Sequence, residues 1–241
     1  MKQVLILHGG ARRKNTLALT REIQQQLTRL GPVEFQEIFL YDCKLPLCCG
    51  CMQCLYRGAE HCPHWPQMQP LLEALDRCDG VILTSPVYVM DVTGTMKTFL
   101  DHLAWRFLIH RPQAGMFCKA GWAVATSAGN GLGRTLGTMQ KSLGFWGVSQ
   151  VEQTGVAMMA EDWEHIPAAR KARIQKKLAA QARRFYKNCG RYRAPAPSVR
   201  GWFAIMRQLT RRRPFTPLDG EYWEQTGWHG AACPWKDPSK Q

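Results

Sequence analysis

Apolar residues along the chain follow two patterns, short continuous runs and runs at helical spacing. The continuous runs are typical of buried parallel strands, and one alternating run, at 33–39, predicts a strand with a wetter face at a sheet edge. The predicted strands lie at 4–7, 33–39, 80–84, 121–126 and within 148–158, and the predicted helices at about 16–30, 66–77, 94–107, 133–143 and 167–188. Five strands that alternate with five helices predict parallel βαβ units with right-handed crossovers, and therefore a doubly wound α/β sheet.

The pattern changes at Cys189. A stiff, Pro-rich linker at 194–197 leads into a short amphipathic helix at 199–213, and the remaining tail is rich in Trp, Gly and Pro. We therefore predict a sheet domain at 1–188 with a cysteine-rich insertion at 43–66, followed by a basic, Trp-rich extension at 189–241 that is helical or irregular.

The net charge of +14 is concentrated in the second half of the chain, where no acidic residue occurs between Arg170 and Arg213. Such a stretch could bind nucleic acid or an anionic membrane surface, but a solvated helix face gives the same composition. The large apolar residues at 199–209 favour a helix that docks on the domain or across a dimer. We therefore expect a homodimer or homotetramer, and no binding of nucleic acid.

The length of 241 residues and the 45% hydrophobic content suit a globular chain with a sizeable core. No apolar stretch reaches the ~18 residues that a membrane-spanning helix needs. The apolar run at the N-terminus lacks a small-residue cleavage site and ends at Gly9. We interpret it as the first strand rather than as a signal peptide, so we expect a cytoplasmic protein.

The loop from Gly9 to Thr16 joins the first strand to the first helix and suits a phosphate group. Its glycines let the backbone curl, the helix N-terminus adds partial positive charge, and Arg12 and Asn15 add side-chain donors beside Thr16. The loop is neither a Walker loop nor a G-x-G-x-x-G dinucleotide loop. A basic surface turn, with Asn15 or Thr16 as an ordinary helix cap, would have the same composition.

Three motifs in order carry a resemblance to a known family. They are Gly9-Gly10-Ala11-Arg12 with Asn15-Thr16, then Ser85-Pro86-Val87-Tyr88, then Lys97-Thr98-Phe99-Leu100-Asp101-His102. Over residues 1–187 the chain resembles the NADPH-dependent FMN reductase group of flavodoxin-like proteins, whose motifs are G-S-P-R-x-x-x-N-T, S-P-V-Y and K-x-F-x-D-R. It departs from them at Gly10, at Ala11, in a slightly shortened loop, and at His102, where the family has Arg.

The resemblance implies a flavodoxin-like, five-stranded parallel sheet in the order 2-1-3-4-5 and an FMN cofactor. Hydride would pass from NADPH or NADH to the flavin, and electrons onward to a quinone, a flavin, another small acceptor or a protein partner. No catalytic side chain is expected, because the flavin carries the chemistry. A buried Tyr88 that merely anchors its loop is the alternative at that position. The implied cofactor-binding residues are Gly10, Arg12, Asn15, Thr16, Pro86, Val87, Tyr88, Ser127, Gly129, Asn130 and Gly131.

Four cysteines, Cys48, Cys51, Cys54 and Cys62, have the spacing of a metal centre. Two-residue gaps let three thiolates converge in a tight loop, and a more distant cysteine can add the fourth ligand of a [4Fe-4S] cluster. This motif resembles that of the iron–sulfur flavoproteins, a branch of the same family in which the cluster lies near the flavin and takes single electrons from it. That branch often has acidic residues after the last cysteine, where this chain has Pro63-His64-Trp65-Pro66.

Other interpretations of the cysteines stay open from the sequence alone. Zinc could use the same four thiolates or replace one of them by His61 or His64, and the thiols could also be metal-free. Cys49, next to Cys48, leaves the first ligand ambiguous. A cluster would also permit a different function, that of a non-enzymatic electron carrier serving a protein redox partner.

Overall fold

Five parallel strands form one sheet in the order β2-β1-β3-β4-β5. They belong to a computed structural model that describes residues 1–192 and 194–236. The order confirms the predicted flavodoxin-like fold, and it reverses at β1, which pairs with both β2 and β3. The strands are β1 (Lys2–His8), β2 (Val33–Phe39), β3 (Gly80–Pro86), β4 (Ala120–Ser127) and β5 (Gln150–Ala157).

Helices cover both faces of the sheet. The helices in the described residues are α1 (Asn15–Thr28), α2 (Gln53–Tyr56), α3 (Trp65–Arg77), α4 (Gly94–Asp101), α5 (Leu132–Phe145), α6 (Ala168–Asn188), α7 (Pro197–Arg212) and α8 (Pro217–Gln225). Side chains of β1 alternate between two cores: Leu5 and Leu7 pack with α3, α4 and α5, whereas Val4 and Ile6 pack with α1 and α6. A strand buried on both faces reads as a continuous apolar run, which is the pattern seen in the sequence.

Three segments differ from the sequence predictions. The helix predicted over 94–107 ends at Asp101, and the chain then turns through a short 3₁₀ helix so that the buried Arg106 pairs with Asp76 of α3. The cysteine-rich segment contains α2 and a second 3₁₀ turn. The tail contains α8, whose start is fixed by a capping box between Thr216 and Asp219.

The extension packs against the sheet domain through a third apolar cluster. Phe203 of α7 and Trp223 and Trp228 of the tail are buried against Leu108 and Phe117. The docked helix expected from the apolar residues is therefore present, whereas the domain boundary at 188 stays a prediction. Residues 193 and 237–241 of the predicted extension lie outside the described residues.

Most basic residues of α6 lie on its outer faces, because Leu178, Ala182 and Phe185 form the face that is buried against the sheet. This is the arrangement of a solvated helix face. Across the described ranges, no helix combines the length and the apolar character needed to cross a membrane.

Candidate functional site

A cleft of about 320 Å³ lies at the carboxyl ends of four strands. This is where a doubly wound sheet binds its ligand, beside the position at which the strand order reverses. The cleft is lined by Arg12, Lys14, Asn15 and Thr16 after β1, by Pro86, Val87 and Tyr88 at β3, by Thr126, Ser127 and Ala128 at β4, and by Met158, Ala160 and Glu161 after β5.

The β1 side of the cleft favours an anion. Arg12 and Lys14 line it, and within the described residues no side chain caps the start of α1, so the amide groups of its first turn stay available. The hydroxyls of Thr16 and Thr126 share one hydrogen bond of 2.6 Å. Because two hydroxyls make only one such bond, one O–H of the pair is left to donate to a ligand.

Two buried polar atoms in the cleft have no hydrogen-bond partner among the described residues, namely Asn15 Oδ1 and Ser127 Oγ. The amide nitrogen of Asn15 is engaged, because it donates to the carbonyl of Glu161 over 3.1 Å. Leaving such groups unpaired costs about 1–3 kcal/mol each. A polar ligand in the cleft would recover that free energy, with Asn15 as acceptor rather than as the phosphate donor expected from the sequence.

The rim of the cleft is a tight turn after β3. Tyr88 and Asp91 exchange backbone hydrogen bonds of 2.9 and 3.1 Å, while Val89 and Met90 adopt positive φ angles of 46° and 69°. Tyr88 is 47% exposed, so the alternative of a buried loop anchor is wrong. A Cβ on Gly131 would approach Val87 Cγ1 to 2.5 Å, so only glycine lets the rim lie against the start of α5.

Asp91 fixes the rim to α5 through Thr138 Oγ1 at 2.8 Å and Arg134 Nε at 3.0 Å. Burial alone would raise the pKa of Asp91, but hydrogen bonds from the Val92 amide, Thr138 and Arg134 outweigh burial and lower that pKa. The carboxylate therefore stays charged and holds the rim in place at neutral pH.

His8 is the last residue of β1 and directly precedes the loop that leads to the cleft. It is 3% exposed, with Nε2 3.0 Å from Glu37 Oε2 and Nδ1 3.1 Å from Thr84 Oγ1. Burial lowers the pKa of His8, although Glu37 opposes this effect. A neutral imidazole therefore ties the ends of β2 and β3 together below the loop.

Seven of the eleven predicted cofactor residues line the cleft: Arg12, Asn15, Thr16, Pro86, Val87, Tyr88 and Ser127. The other four, Gly10, Gly129, Asn130 and Gly131, are not among its lining residues. Gly10 packs on Pro86 instead, where an added Cβ would lie 3.0 Å from Pro86 Cδ. Met158, Ala160 and Glu161 after β5 also line the cleft, and they were not predicted, although they follow the carboxyl end of a predicted strand.

The four predicted cysteine ligands lie in one segment that precedes α3. Burial, and after it the charges of Cys62, Cys48 and Cys51, raise the pKa of Cys54 to about 11. Cys48 and Cys51 are exposed, whereas Cys54 and Cys62 are half-buried. In the described chain, no three of these four sulfurs lie within 4.8 Å of one another.

Arg111 binds the backbone of the cysteine-rich segment. Its guanidinium donates to the backbone carbonyls of Cys54 and Leu55 and pairs with Asp219 of α8, which is fully buried. Asp219 also lies 3.0 Å from Nδ1 of His110. The extension is thus connected to the cysteines by one buried charge network, which the sequence patterns did not reveal.

Helix α4 connects the cleft with the cysteine segment. At its start, the hydroxyl of Thr93 donates to the carbonyl of Gly9 over 2.7 Å, in the loop after β1. At its end, His102 lies beside Cys62. Eight residues span about 12 Å along a helix, so the two places are near neighbours.

Residues 2–164 match the family model described as NADPH-dependent FMN reductase. The chain belongs to this family. The resemblance seen in the three motifs is thereby confirmed, and membership in the NADPH-dependent FMN reductase family supports an FMN-dependent oxidoreductase at the level of the family.

Curated relatives carry the name iron–sulfur flavoprotein. One from Archaeoglobus fulgidus is 31% identical over 152 residues, which cover 63% of this chain and 66% of that protein. One from Methanocaldococcus jannaschii is 33% identical over 100 residues, or 41% of this chain and 50% of that protein. The chain therefore spans less than two thirds of the length of these relatives.

Solved structures agree on the fold. An apo NADH:FMN oxidoreductase (EmoB) superposes with a TM-score of 0.56 at 19% identity, covering 83% of this chain and 94% of its own. An FMN-dependent NADH-azoreductase from Bacillus anthracis, in complex with FMN, gives a TM-score of 0.58 at 13% identity. The match covers 77% of this chain and 100% of the azoreductase chain. At such identities the likeness concerns the fold alone.

Proposed function

We propose that the chain is an FMN-dependent NAD(P)H oxidoreductase that passes electrons from a reduced nicotinamide to a small acceptor such as a quinone or a flavin. The observation that carries the proposal is the cleft at the switch point of the sheet. It combines a cationic helix start with two unpaired buried polar atoms, Asn15 Oδ1 and Ser127 Oγ.

The residues of the cleft fit the parts of FMN. Arg12, Lys14 and the first amides of α1 would hold the phosphate, and the remaining hydroxyl of the Thr16–Thr126 pair would add a donor. Asn15 Oδ1 is placed to accept from a hydroxyl of the ribityl chain. When bound, FMN supplies the redox chemistry by accepting a hydride and releasing electrons.

The isoalloxazine ring system of FMN would lie along the backbone of residues 86–88 and 127–128. Peptide groups at such positions orient a flavin and tune its electronics without an acid or a base. Half-exposed Tyr88 would cover one side of the ring and limit the access of water.

We also propose that the enzyme acts in the cytoplasm and as a homodimer or homotetramer.

We further propose that Cys48, Cys51, Cys54 and Cys62 hold a 4Fe-4S cluster. One zinc ion, with Zn–S bonds of about 2.3 Å, would bring its thiolates to about 3.8 Å of one another. In the described chain, no three of these sulfurs are as close together as the ligands of a single zinc ion, which favours several irons over one shared zinc ion.

The exposure of Cys48 and Cys51 supports a second candidate, an electron-transfer flavoprotein that serves a protein partner. A cluster at this surface would be accessible to such a partner. The two candidates differ in the electron donor, because a carrier needs no reduction by a nicotinamide.

Anaerobic mixing of the FMN-loaded protein with NADPH, and separately with NADH, tests the proposal. We expect the visible flavin absorbance to bleach with at least one nicotinamide and to return when a quinone is added. Bleaching by dithionite but by neither nicotinamide would favour the carrier. Failure to bind FMN would contradict both candidates.

Iron content tests the cluster separately. Anaerobically purified protein should contain about four irons per chain, and Cys51→Ser should abolish them. Cys43→Ser is the matched control, because Cys43 lies at the edge of the same segment outside the proposed ligands. Equal iron in the two variants would contradict the cluster assignment and leave the flavin assignment standing.

A further inference from the structure

A second group of metal-ligating atoms lies beside the four thiols. The sulfur of Cys62, a ring nitrogen of His64 and a ring nitrogen of His102 lie within 4.8 Å of one another, the one such group of three in the described parts of the chain. Only Cys62 belongs to the proposed cluster ligands. His102 directly follows α4 and lies 38 residues after His64 in the chain.

His102 has the environment of a metal ligand. Its Nδ1 lies 2.8 Å from the carbonyl oxygen of Thr98. A carbonyl only accepts, so Nδ1 carries the hydrogen and Nε2 keeps its lone pair. Metal-bound histidines typically donate their other ring N–H in this way, which fixes the tautomer and the ring orientation. The side chain is only 5% exposed, so its direction is set by packing.

The other two candidate ligand atoms lie close to His102. His64 is the residue before α3, and its Nδ1 lies 2.9 Å from His102 Nε2. His64 and His102 are also two positions at which the chain departs from the family motifs, and the fold brings them into contact.

We propose that, in protein without the cluster, Cys62, His64 and His102 bind one divalent ion of the zinc type, with the fourth position left to water. Two imidazoles and one thiolate form a donor set that zinc accepts in tetrahedral geometry, and three protein ligands are the number at which a site keeps an open position. Because Cys62 is shared, zinc here and a 4Fe-4S cluster exclude each other. The proposal does not depend on the flavin chemistry.

Metal analysis of three variants separates the two occupancies. Each protein is prepared anaerobically with iron and sulfide, and again metal-free followed by addition of Zn²⁺ alone. We expect the wild type to bind about one zinc in the second preparation. His102→Ala should lose zinc and keep iron, Cys51→Ser should lose iron and keep zinc, and Cys62→Ser should lose both.

The loss of zinc affinity in His102→Ala should exceed the 10- to 100-fold that loss of an outer-shell partner costs, so more than about 100-fold is expected. His64→Ala tests the same site on a half-buried residue if His102→Ala does not fold. Co²⁺ used as a probe should give the visible bands of a tetrahedral site with a thiolate ligand in the wild type and in neither histidine variant.

Two outcomes would overturn the proposal. The first is a wild type that binds no zinc in the zinc preparation. The second is zinc retained equally by wild type, His64→Ala and His102→Ala, which would place the ion on the four thiols and leave the histidine pair as a structural hydrogen bond. FMN content is measured in every sample, and its absence would count against the flavin proposal and not against this site.

Discussion

Arg12 and Arg13 are neighbours in the loop after β1, yet their side chains have different surroundings. Arg12 lines the cleft. Arg13 turns away from it, stacks over Phe39 at 4.1 Å and pairs with Asp42 at 2.8 Å. Replacing either arginine by alanine removes the same charge, and only one of the two replacements removes it from the cleft. The two variants therefore test whether the phosphate binds at this side of the cleft.

We predict that Arg12→Ala weakens FMN binding about tenfold or more, because a charge-assisted hydrogen bond contributes about 1.5–3 kcal/mol. Arg13→Ala should leave the affinity within about twofold, since its partners are outside the cleft and surface ion pairs contribute little. Fluorescence titration of the apoprotein with FMN measures both. Equal weakening in the two variants would mean that the loop acts only through its net charge.

Spacing along the chain predicts some of the candidate metal ligands and not others. Cys48, Cys51 and Cys54 are close in sequence, so their convergence follows from the turn they share. His102 could not be paired with Cys62 in advance, because α3 and β3 separate them along the chain and only the packing of α4 brings them together. The unpaired Oδ1 of Asn15 could not be predicted either, because the amide nitrogen of Asn15 bonds to the carbonyl of Glu161, which follows the last strand.

At the scale of elements, α8 supports the cysteine segment through Asp219 and Arg111. We predict that Asp219→Ala lowers the free energy of unfolding by about 3–5 kcal/mol, because it leaves Arg111 buried without its carboxylate. Iron retention should fall as well, since Arg111 holds the carbonyl of Cys54. Denaturant unfolding and iron analysis measure the two effects.

Glu221→Ala is the matched control, because Glu221 is an exposed acidic residue on the same helix. It should change the free energy of unfolding by no more than about 0.5 kcal/mol and leave the iron content unchanged. A stable Asp219→Ala protein with normal iron would show that the network is not what holds the segment.

Elements with strong periodicity were predictable, and elements defined by tertiary contacts were not. The strands emerged as apolar runs because β1, β3 and β4 are buried on both faces. The helix predicted from Gly94 extended too far, because the pairing of Arg106 with Asp76 redirects the chain after Asp101. Helix α8 was missed, although Thr216 and Asp219 have the spacing of a capping box and Pro217 stands at the first helical position.

At the scale of the whole molecule, the extension completes the core. We predict that truncation after Gly190 lowers the melting temperature and the iron content, because it exposes Leu108 and Phe117 and removes Asp219. The apolar area lost from Phe203, Trp223 and Trp228 corresponds to several kcal/mol at ~25 cal/mol per Å². Thermal unfolding, gel filtration and iron analysis of both lengths test this.

A truncated protein that is as stable as the full chain but has lost a salt-sensitive affinity for DNA or RNA would contradict this prediction. The arrangement of α6 argues against that outcome, because its basic residues follow from the need to keep the outer face in water. The strand order was available from the motif resemblance, whereas the packing of the extension depends on contacts between residues more than 80 positions apart, such as Phe117 with Phe203.

The distribution of the cysteines has a consequence for the ageing of the protein in oxygen. Burial raises the pKa of Cys78 to about 11 and that of Cys189 to about 12, so these core thiols stay protonated and inaccessible. Cys48, Cys49 and Cys51 are exposed. Oxidants attack accessible thiolates first, so chemical damage would begin in the cysteine-rich segment and leave the interior of the sheet domain intact. An oxidised population would then be a folded flavoprotein without the proposed cluster, and recovery would require reduction of the disulfides or sulfenic acids together with a supply of iron and sulfide.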